Sequence, residues 1–344
     1  MSLIILLSIS YLFGANTLIG LSKGNILSNI IDDTNGYLLI VLALAVLYLT
    51  KKGFSYNRII SHVINASTIV AVYYSLVFIS YLFLPGVFHI LNDLLMFFNM
   101  GSALPYGEIV RVFLKAQIYC FLISVYTLIV FLRGFKGYKY LAISIVNFIP
   151  CLLSFTRSFW LAYAIVIIVF IILRFIVKPL RVQRRGLFLV SGFVFIMVIF
   201  FAYNPLYLDR LINTFSSDDK GNQIRLHQVE YTWESFSENI AFGIGAGGVY
   251  DEARTYALES TYNDALAKYG IIGSLVLMFF LIFPFLYIFM IRTWSLDRIP
   301  SYSLVYSYIG LLLISVTNPF LLSSLGMLFI GLLYGMILAE ESSG

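Results

Sequence analysis

Apolar residues run along this chain in stretches of membrane-spanning length, and nearly all of the charge sits in the intervals between them. The runs fall at about 2–21, 37–50, 59–84, 112–132, 140–156, 158–177, 187–203, 270–291, 301–317 and 319–339. A bilayer core asks for about 20 apolar residues in a spanning helix. Backbone groups in lipid must also be satisfied within the segment, so each long run predicts a helix. About ten transmembrane helices result, of which 37–50 and 140–156 are short for the task. Between the third and fourth runs, Val87 to Met100 fits an interfacial or re-entrant helix. The pattern predicts an all-α, polytopic integral membrane helix bundle, one membrane domain over 1–344, interrupted by a single long polar loop at 204–269.

Composition agrees: 60% of the 344 residues are hydrophobic and 11% are charged, with a mean hydropathy of +0.93. A soluble domain could not cover that much apolar surface. The net charge of +5 would suggest an anionic partner in a soluble protein, but here the basic residues act first as topology signals. Thirteen of the 22 lie in four short loops: Lys51, Lys52 and Arg58; Arg133, Lys136 and Lys139; Arg174, Lys178, Arg181, Arg184 and Arg185; and Arg292 and Arg298. The positive-inside bias assigns these loops to the cytoplasm, together with both termini. Residues 22–36, 85–111, about 157, 204–269 and about 318 then face outward, and no nucleic-acid partner is implied. The segment 1–20 lacks a basic n-region and a cleavage site, so it reads as the first span. Cys120 and Cys151 both fall inside predicted spans, where they read as small buried hydrophobes.

The outer loop 204–269 holds 10 of the 17 acids. A connection of that length is a candidate functional loop. Val229, Trp233, Phe236 and Ile240 repeat at helical spacing, which puts Arg225 and His227 near the start of an amphipathic helix lying over the membrane domain. Leu258, Tyr262, Leu266 and Tyr269 repeat likewise, which places Glu259 in the first turns of a second helix running into Gly270. Between them, Gly243-Ile244-Gly245-Ala246-Gly247-Gly248 lacks the preceding strand that a dinucleotide site needs. It is either a tight turn between helices or a turn whose amides also approach a phosphate. Arg157, in Thr156-Arg157-Ser158, stands at the outward end of a span. An arginine there is either functional or a lipid-headgroup anchor beside Trp160. Gly331 and Gly335 form a G-x-x-x-G pair suited to close packing inside the bundle, and Pro284 suits a kink.

These elements, in this order, resemble the O-antigen polymerase and O-antigen ligase superfamily. The resemblance covers 154–290 and rests on Thr156-Arg157-Ser158, the loop arginine Arg225, Gly243-Ile244-Gly245-Ala246-Gly247 and Gly270-Ile271-Ile272-Gly273. Where the family carries His-Asn before the last element, this chain has Glu259-Ser260. The histidine is similar to that of ligases acting on lipid A core, whereas a carboxylate resembles the Wzy-type polymerases.

The resemblance implies a GT-C-like membrane glycosyltransferase in the bacterial inner membrane, with its active site toward the periplasm. Its donor and acceptor would be glycans on undecaprenyl pyrophosphate, and a chain-length regulator would be a partner. Departure of the lipid diphosphate builds negative charge that guanidinium donors can meet. Arg157 and Arg225 suit that role, with Arg254 third. Glu259 is the candidate general base for the acceptor hydroxyl. Its alternative is a helix-start carboxylate that caps or pairs with Arg254 or Lys268. His227 could position phosphate or acceptor, Gly245 and Gly247 could bring amides to the diphosphate, and Tyr262, like Tyr250 and Tyr256, could stack on sugar. Asp93, Glu108, Arg111 and Lys115 flank the other outer loop. No Asp-x-Asp clamp occurs, so no metal or cofactor is expected. A ligase is the alternative enzyme, and a lipid-linked oligosaccharide flippase the alternative class. A flippase would carry charge inside several spans, and the predicted spans have almost none.

Overall fold

In the computed structural model the chain is described for residues 2–106, 109–134, 137–176, 216, 220–250, 258–286 and 299–342. The span expected at 187–203, most of the basic loop at 174–185, and Arg254 lie outside the described residues. The remainder is helical apart from one hairpin, as the apolar pattern predicts. Among the described residues, three helices are long and apolar enough to cross a membrane, Leu27–Lys51, Tyr56–Phe83 and Thr261–Leu286, and six shorter apolar helices accompany them. The chain divides into two compact units, one of 1–56, 215–295 and 311–344 and the other of 57–214 and 296–310.

The first unit begins with α1 (Ser2–Ser10), a π-helical turn (Tyr11–Ala15) and α2 (Asn16–Ser22). α3 (Leu27–Leu38) continues through one 3₁₀ turn into α4 (Leu42–Lys51). The apolar pattern predicts an outer loop over 22–36 and a short span at 37–50, and here the structure corrects the sequence reading. Asp32 and Asp33 disguise the first half of a single 25-residue membrane-capable segment. A charge at such a position is tolerated when a partner neutralises it, and Asp33 meets Lys268. Against this segment packs the C-terminal helix, Ser324–Ser342. Glycine sets the approach distance: a Cβ on Gly331 would stand 3.0 Å from the Leu39 carbonyl oxygen, and one on Gly335 2.9 Å from that of Ala43. The G-x-x-x-G pair thus serves close packing within the bundle.

The second unit holds α5 (Tyr56–Phe83), α6 (Pro85–Phe97), β1 (Gly101–Tyr106), β2 (Ile109–Leu114), α7 (Gln117–Leu132), α8 (Tyr138–Leu153) and α9 (Arg157–Ile176). The region 85–108 is a helix only as far as Phe97. Beyond it an antiparallel hairpin pairs Gly101 with Leu114 and Tyr106 with Ile109. The span expected from 112 therefore starts at Gln117. Val110, Val112 and Leu114 turn inward onto Tyr74, Val77, Phe88 and Leu95, so the strand buries its alternate residues as a period of two requires. The helices of this unit are joined by small polar groups: Ser124 Oγ donates to the Ser144 carbonyl at 2.8 Å, and Ser67 Oγ to Asn147 Oδ1 at 2.7 Å. Where lipid offers no hydrophobic drive for association, such contacts between close backbones supply much of it.

Candidate functional site

Helix α10 (Lys220–Glu238) opens the described part of the polar loop, with Arg225 in its second turn. Asn222, one turn earlier, donates through Nδ2 to the Ser216 carbonyl at 2.8 Å and accepts from Arg225 Nη1 at 3.3 Å. This holds the guanidinium against the helix, and its Nε stands 3.0 Å from Glu259 Oε2. The two side chains are 33% and 36% exposed, so the pair is open to a ligand. Glu259 does not lie in a helix. It precedes α11 (Thr261–Leu286), and its backbone N–H donates to Gln228 Oε1 at 3.0 Å. Gln228, one turn after Arg225 on the same helix face, thus fixes where the carboxylate sits.

Among the described residues, two buried donors beside Glu259 have no hydrogen-bond partner. Gln228 is buried and its Nε2 has no hydrogen-bond partner. The Arg225 Nε–H is close to the carboxylate but not aligned to bond it, so the contact is ionic and this donor too is unsatisfied. Unmet buried N–H groups are costly and call for an explanation. An oxygen-rich ligand reaching the carboxylate would satisfy both.

The glycine element lies between these two helices. Gly243, Gly245 and Gly247 adopt φ of 69°, 81° and 73°, where a side chain is strained. Its amides are spent on the protein. Ile244 and Gly245 donate to the Ala267 and Lys268 carbonyls (both 2.9 Å), Ala246 to that of Asn16 (3.2 Å), and Gly247 to Asp33 Oδ2 (2.7 Å). The phosphate-approach reading of Gly245 and Gly247 therefore gives way to the tight turn, which these carbonyls hold. Asn25 and Lys23 bind its carbonyls from the other side.

Beneath the turn is a buried ionic cluster. Lys268, on α11, places Nζ 2.8 Å from each Asp33 carboxylate oxygen and 3.2 Å from Asp264 Oδ1. The Tyr250 hydroxyl donates to Asp264 Oδ1 at 2.9 Å. Burial first, and the Asp264 charge second, push the Tyr250 phenol well above its ordinary value, so it stays a donor. The sequence pattern places Asp264 and Lys268 in the polar loop and leaves almost no charge in the spans. The structure keeps them there: both stand on the helical segment before Gly270, whose φ of 61° breaks the helix ahead of the apolar run.

Arg157 belongs to the second unit as the first residue of α9. The chain reaches it through a sharp corner at Phe155, φ 55°. Arg111, on β2, braces that corner: its Nε donates to the Ser154 carbonyl at 2.9 Å and its Nη2 to Thr156 Oγ1 at 3.4 Å. Trp160 Nε1 closes it by donating to the Cys151 carbonyl at 2.8 Å, and Trp160 is buried here.

Of the residues singled out from sequence, Arg225 and Glu259 are brought together. Of the alternative partners suggested for Glu259, Lys268 is corrected, since it is committed to Asp33 and Asp264, and Arg254 lies outside the described residues. His227 is 69% exposed and pairs with Glu230 at 3.2 Å, turned away from Arg225, as two residues along a helix turn by about 200°. Tyr262 spends its hydroxyl on the Leu312 carbonyl at 2.9 Å. Sequence reasoning misses Gln228 and Asp33, since a glutamine in a polar helix and an acid in an apparent loop carry no local signal, and it names Lys268 only as a partner of Glu259.

Residues 141–278 match the family model described as O-antigen ligase, about two fifths of the chain. The matched segment contains Arg157, Arg225, Gln228, the glycine element, Glu259 and Lys268. No curated protein matches the chain. Together with the apolar helices, the match supports a membrane enzyme of the O-antigen polymerase/ligase type, acting in polysaccharide assembly.

Proposed function

We propose that this chain is an O-antigen polymerase: a metal-independent membrane glycosyltransferase that joins lipid-diphosphate-linked repeat units. One observation carries the reading, the meeting of Arg225 and Glu259 beside two unspent donors in a half-open setting. A diphosphate entering here competes for the guanidinium, which binds phosphate oxygens as well as it binds a carboxylate. Arg225 transfers to the diphosphate, and Glu259 is left facing the acceptor. The carboxylate takes the proton of the acceptor sugar hydroxyl as that oxygen bonds to the donor's anomeric carbon. The bond from this carbon to the diphosphate oxygen breaks, and its electron pair leaves with the lipid diphosphate, whose charge Arg225 and Gln228 meet. A direct displacement of this kind inverts the anomeric centre. Arg157, the first residue of α9, is the candidate second guanidinium.

By the same reading the lipid carrier is undecaprenyl pyrophosphate, the site faces the periplasm from the inner membrane, and a chain-length regulator is a partner. The family description favours the second reading, a ligase that transfers finished glycan to another acceptor. One experiment separates them. Arg225→Ala, Glu259→Gln and Arg157→Ala are each introduced in cells, and surface glycan is resolved by size. A polymerase predicts loss of long chains while a single repeat still reaches its final acceptor. Loss of every glycan-bearing form points to the ligase, and normal ladders from all three variants overturn both readings.

A further inference from the structure

Helix α10 is amphipathic in an unexpected sense. The periodicity of its apolar residues predicts an amphipathic helix lying over the membrane domain, and the structure shows which face each side presents. The face against the protein is polar, built by Arg225, the buried Gln228 and the buried Thr232. Leu226 (59%), Val229 (47%) and Trp233 (64%) are exposed, at the i, i+3, i+7 spacing of one helix face. Ile240 (55%) and Phe242 extend this surface past the end of the helix. About a third of a turn further round the helix stand His227, Glu230, Glu234 and Glu238, all exposed. Three directions are thus occupied: polar groups toward the protein, acids on one free side, large apolar residues on the other.

The apolar side continues onto the exposed apolar surface of a membrane-capable helix. The Ile271 and Ile272 amides donate to the Ile240 and Ala241 carbonyls at 2.8 and 3.2 Å. This fixes the end of the stripe against the membrane-capable Thr261–Leu286 helix. At that level Ile271, Ile272 and Leu275 are themselves exposed, the side such a helix turns to lipid. A stripe of aromatic and branched residues that joins a lipid-facing surface edge to edge, with acids on the neighbouring free side, suits the membrane–water boundary. We propose that Lys220–Glu238 is an in-plane interfacial helix, its occupant being the lipid bilayer itself, with Leu226, Val229 and Trp233 inserted at the headgroup–acyl boundary. The inference rests on the membrane reading of α11 alone and is independent of the polymerase assignment. Its consequence for that site is one of height: Arg225 and Gln228, on the neighbouring face of the same helix, lie at the level where a lipid carries its diphosphate.

The full chain in phosphatidylcholine vesicles tests this. Trp233 emission is taken as the difference between the wild type and Trp233→Phe. It is challenged with lipids brominated near the glycerol end of the acyl chain, with lipids brominated deep in the chain, and with iodide in water. Stronger quenching by the shallow bromines than by the deep ones, with little effect of iodide, is the expected result. Quenching by iodide alone overturns the proposal by placing the stripe in water, and protection from all three overturns it in favour of a protein cover such as a second copy. An independent pair of variants guards against local misfolding. With Cys120 and Cys151 buried, a membrane-impermeant maleimide should label Glu234→Cys several times faster than Val229→Cys in vesicles. Equal rates would also sink the idea.

Discussion

Replacing Lys268 by alanine should be among the most damaging single changes in the first unit. The ammonium is 2.8 Å from both Asp33 oxygens and 3.2 Å from Asp264, and its side chain is 1% exposed. Without it, two carboxylates that are 11% and 18% exposed lose their common counter-charge. Breaking a buried ion pair by removing one partner costs about 3–5 kcal/mol, because the remaining charge is left uncompensated. Two carboxylates share this cation, so the upper part of that range is expected. The damage should be repairable by removing charge. Lys268→Met combined with Asp33→Asn and Asp264→Asn leaves no charge to compensate, and the amide introduced at position 33 can still accept the Gly247 N–H through its side-chain oxygen. Coupling of about 1–3 kcal/mol between these neighbouring sites is expected, so the triple variant should be more stable than Lys268→Ala. Reversible unfolding by SDS in mixed micelles, followed by far-ultraviolet circular dichroism, gives the free energies. A Lys268→Ala protein within about 0.5 kcal/mol of wild type, the scale of an inconsequential surface change, would refute the cluster as a source of stability. So would a triple variant less stable than the single one.

Two further outcomes can be read by the same unfolding measurement. Gly245→Ala should cost more than about 2 kcal/mol, from a strained φ of 81° and a Cβ placed 2.5 Å from the Gly20 nitrogen; a neutral result would mean that the turn can move away from α2. Tyr250→Phe removes a hydroxyl bonded to a carboxylate and should cost about 1.5–3 kcal/mol near neutral pH. Because the folded phenol is raised, its contribution is complete below the unfolded value of about 10 and declines above it, where the unfolded chain releases the proton and the folded chain retains it. The gap between wild type and Tyr250→Phe should therefore narrow between about pH 9 and pH 11, and a constant gap would contradict the assigned environment.

Much of the helical framework is legible in the sequence because a spanning helix is a local property. The run at 59–84 is Tyr56–Phe83 in the structure, and the run at 158–177 is Arg157–Ile176 as far as it is described. Elements whose identity depends on a distant partner are hidden. Asp32 and Asp33 make the first half of Leu27–Lys51 resemble a loop, since the lysine that neutralises Asp33 is 235 residues away. The hairpin Gly101–Leu114 is concealed in the same way, because its inward valines read as the start of the next apolar run until Tyr74, Phe88 and Leu95 are known to receive them.

The candidate site divides along the same line. Residue type and order pick out Arg225, Arg157, Glu259 and the glycine element, since a chemistry of lipid diphosphates calls for guanidinium, carboxylate and tight turns. Which carboxylate meets which cation is decided by the fold. Arg225 takes Glu259, Lys268 takes Asp33 and Asp264, and the glycine amides go to carbonyls and to Asp33. The same holds for Lys220–Glu238: periodicity reveals that it has an apolar face, and only tertiary packing shows that this face points away from the protein. Sequence thus determined the membrane class, the helical character and the chemically capable residues, because these follow from local length, composition and side-chain type. Pairing and facing required the three-dimensional structure, because an electrostatic partner or a buried side is set by whatever the chain brings alongside, however far off it is in sequence.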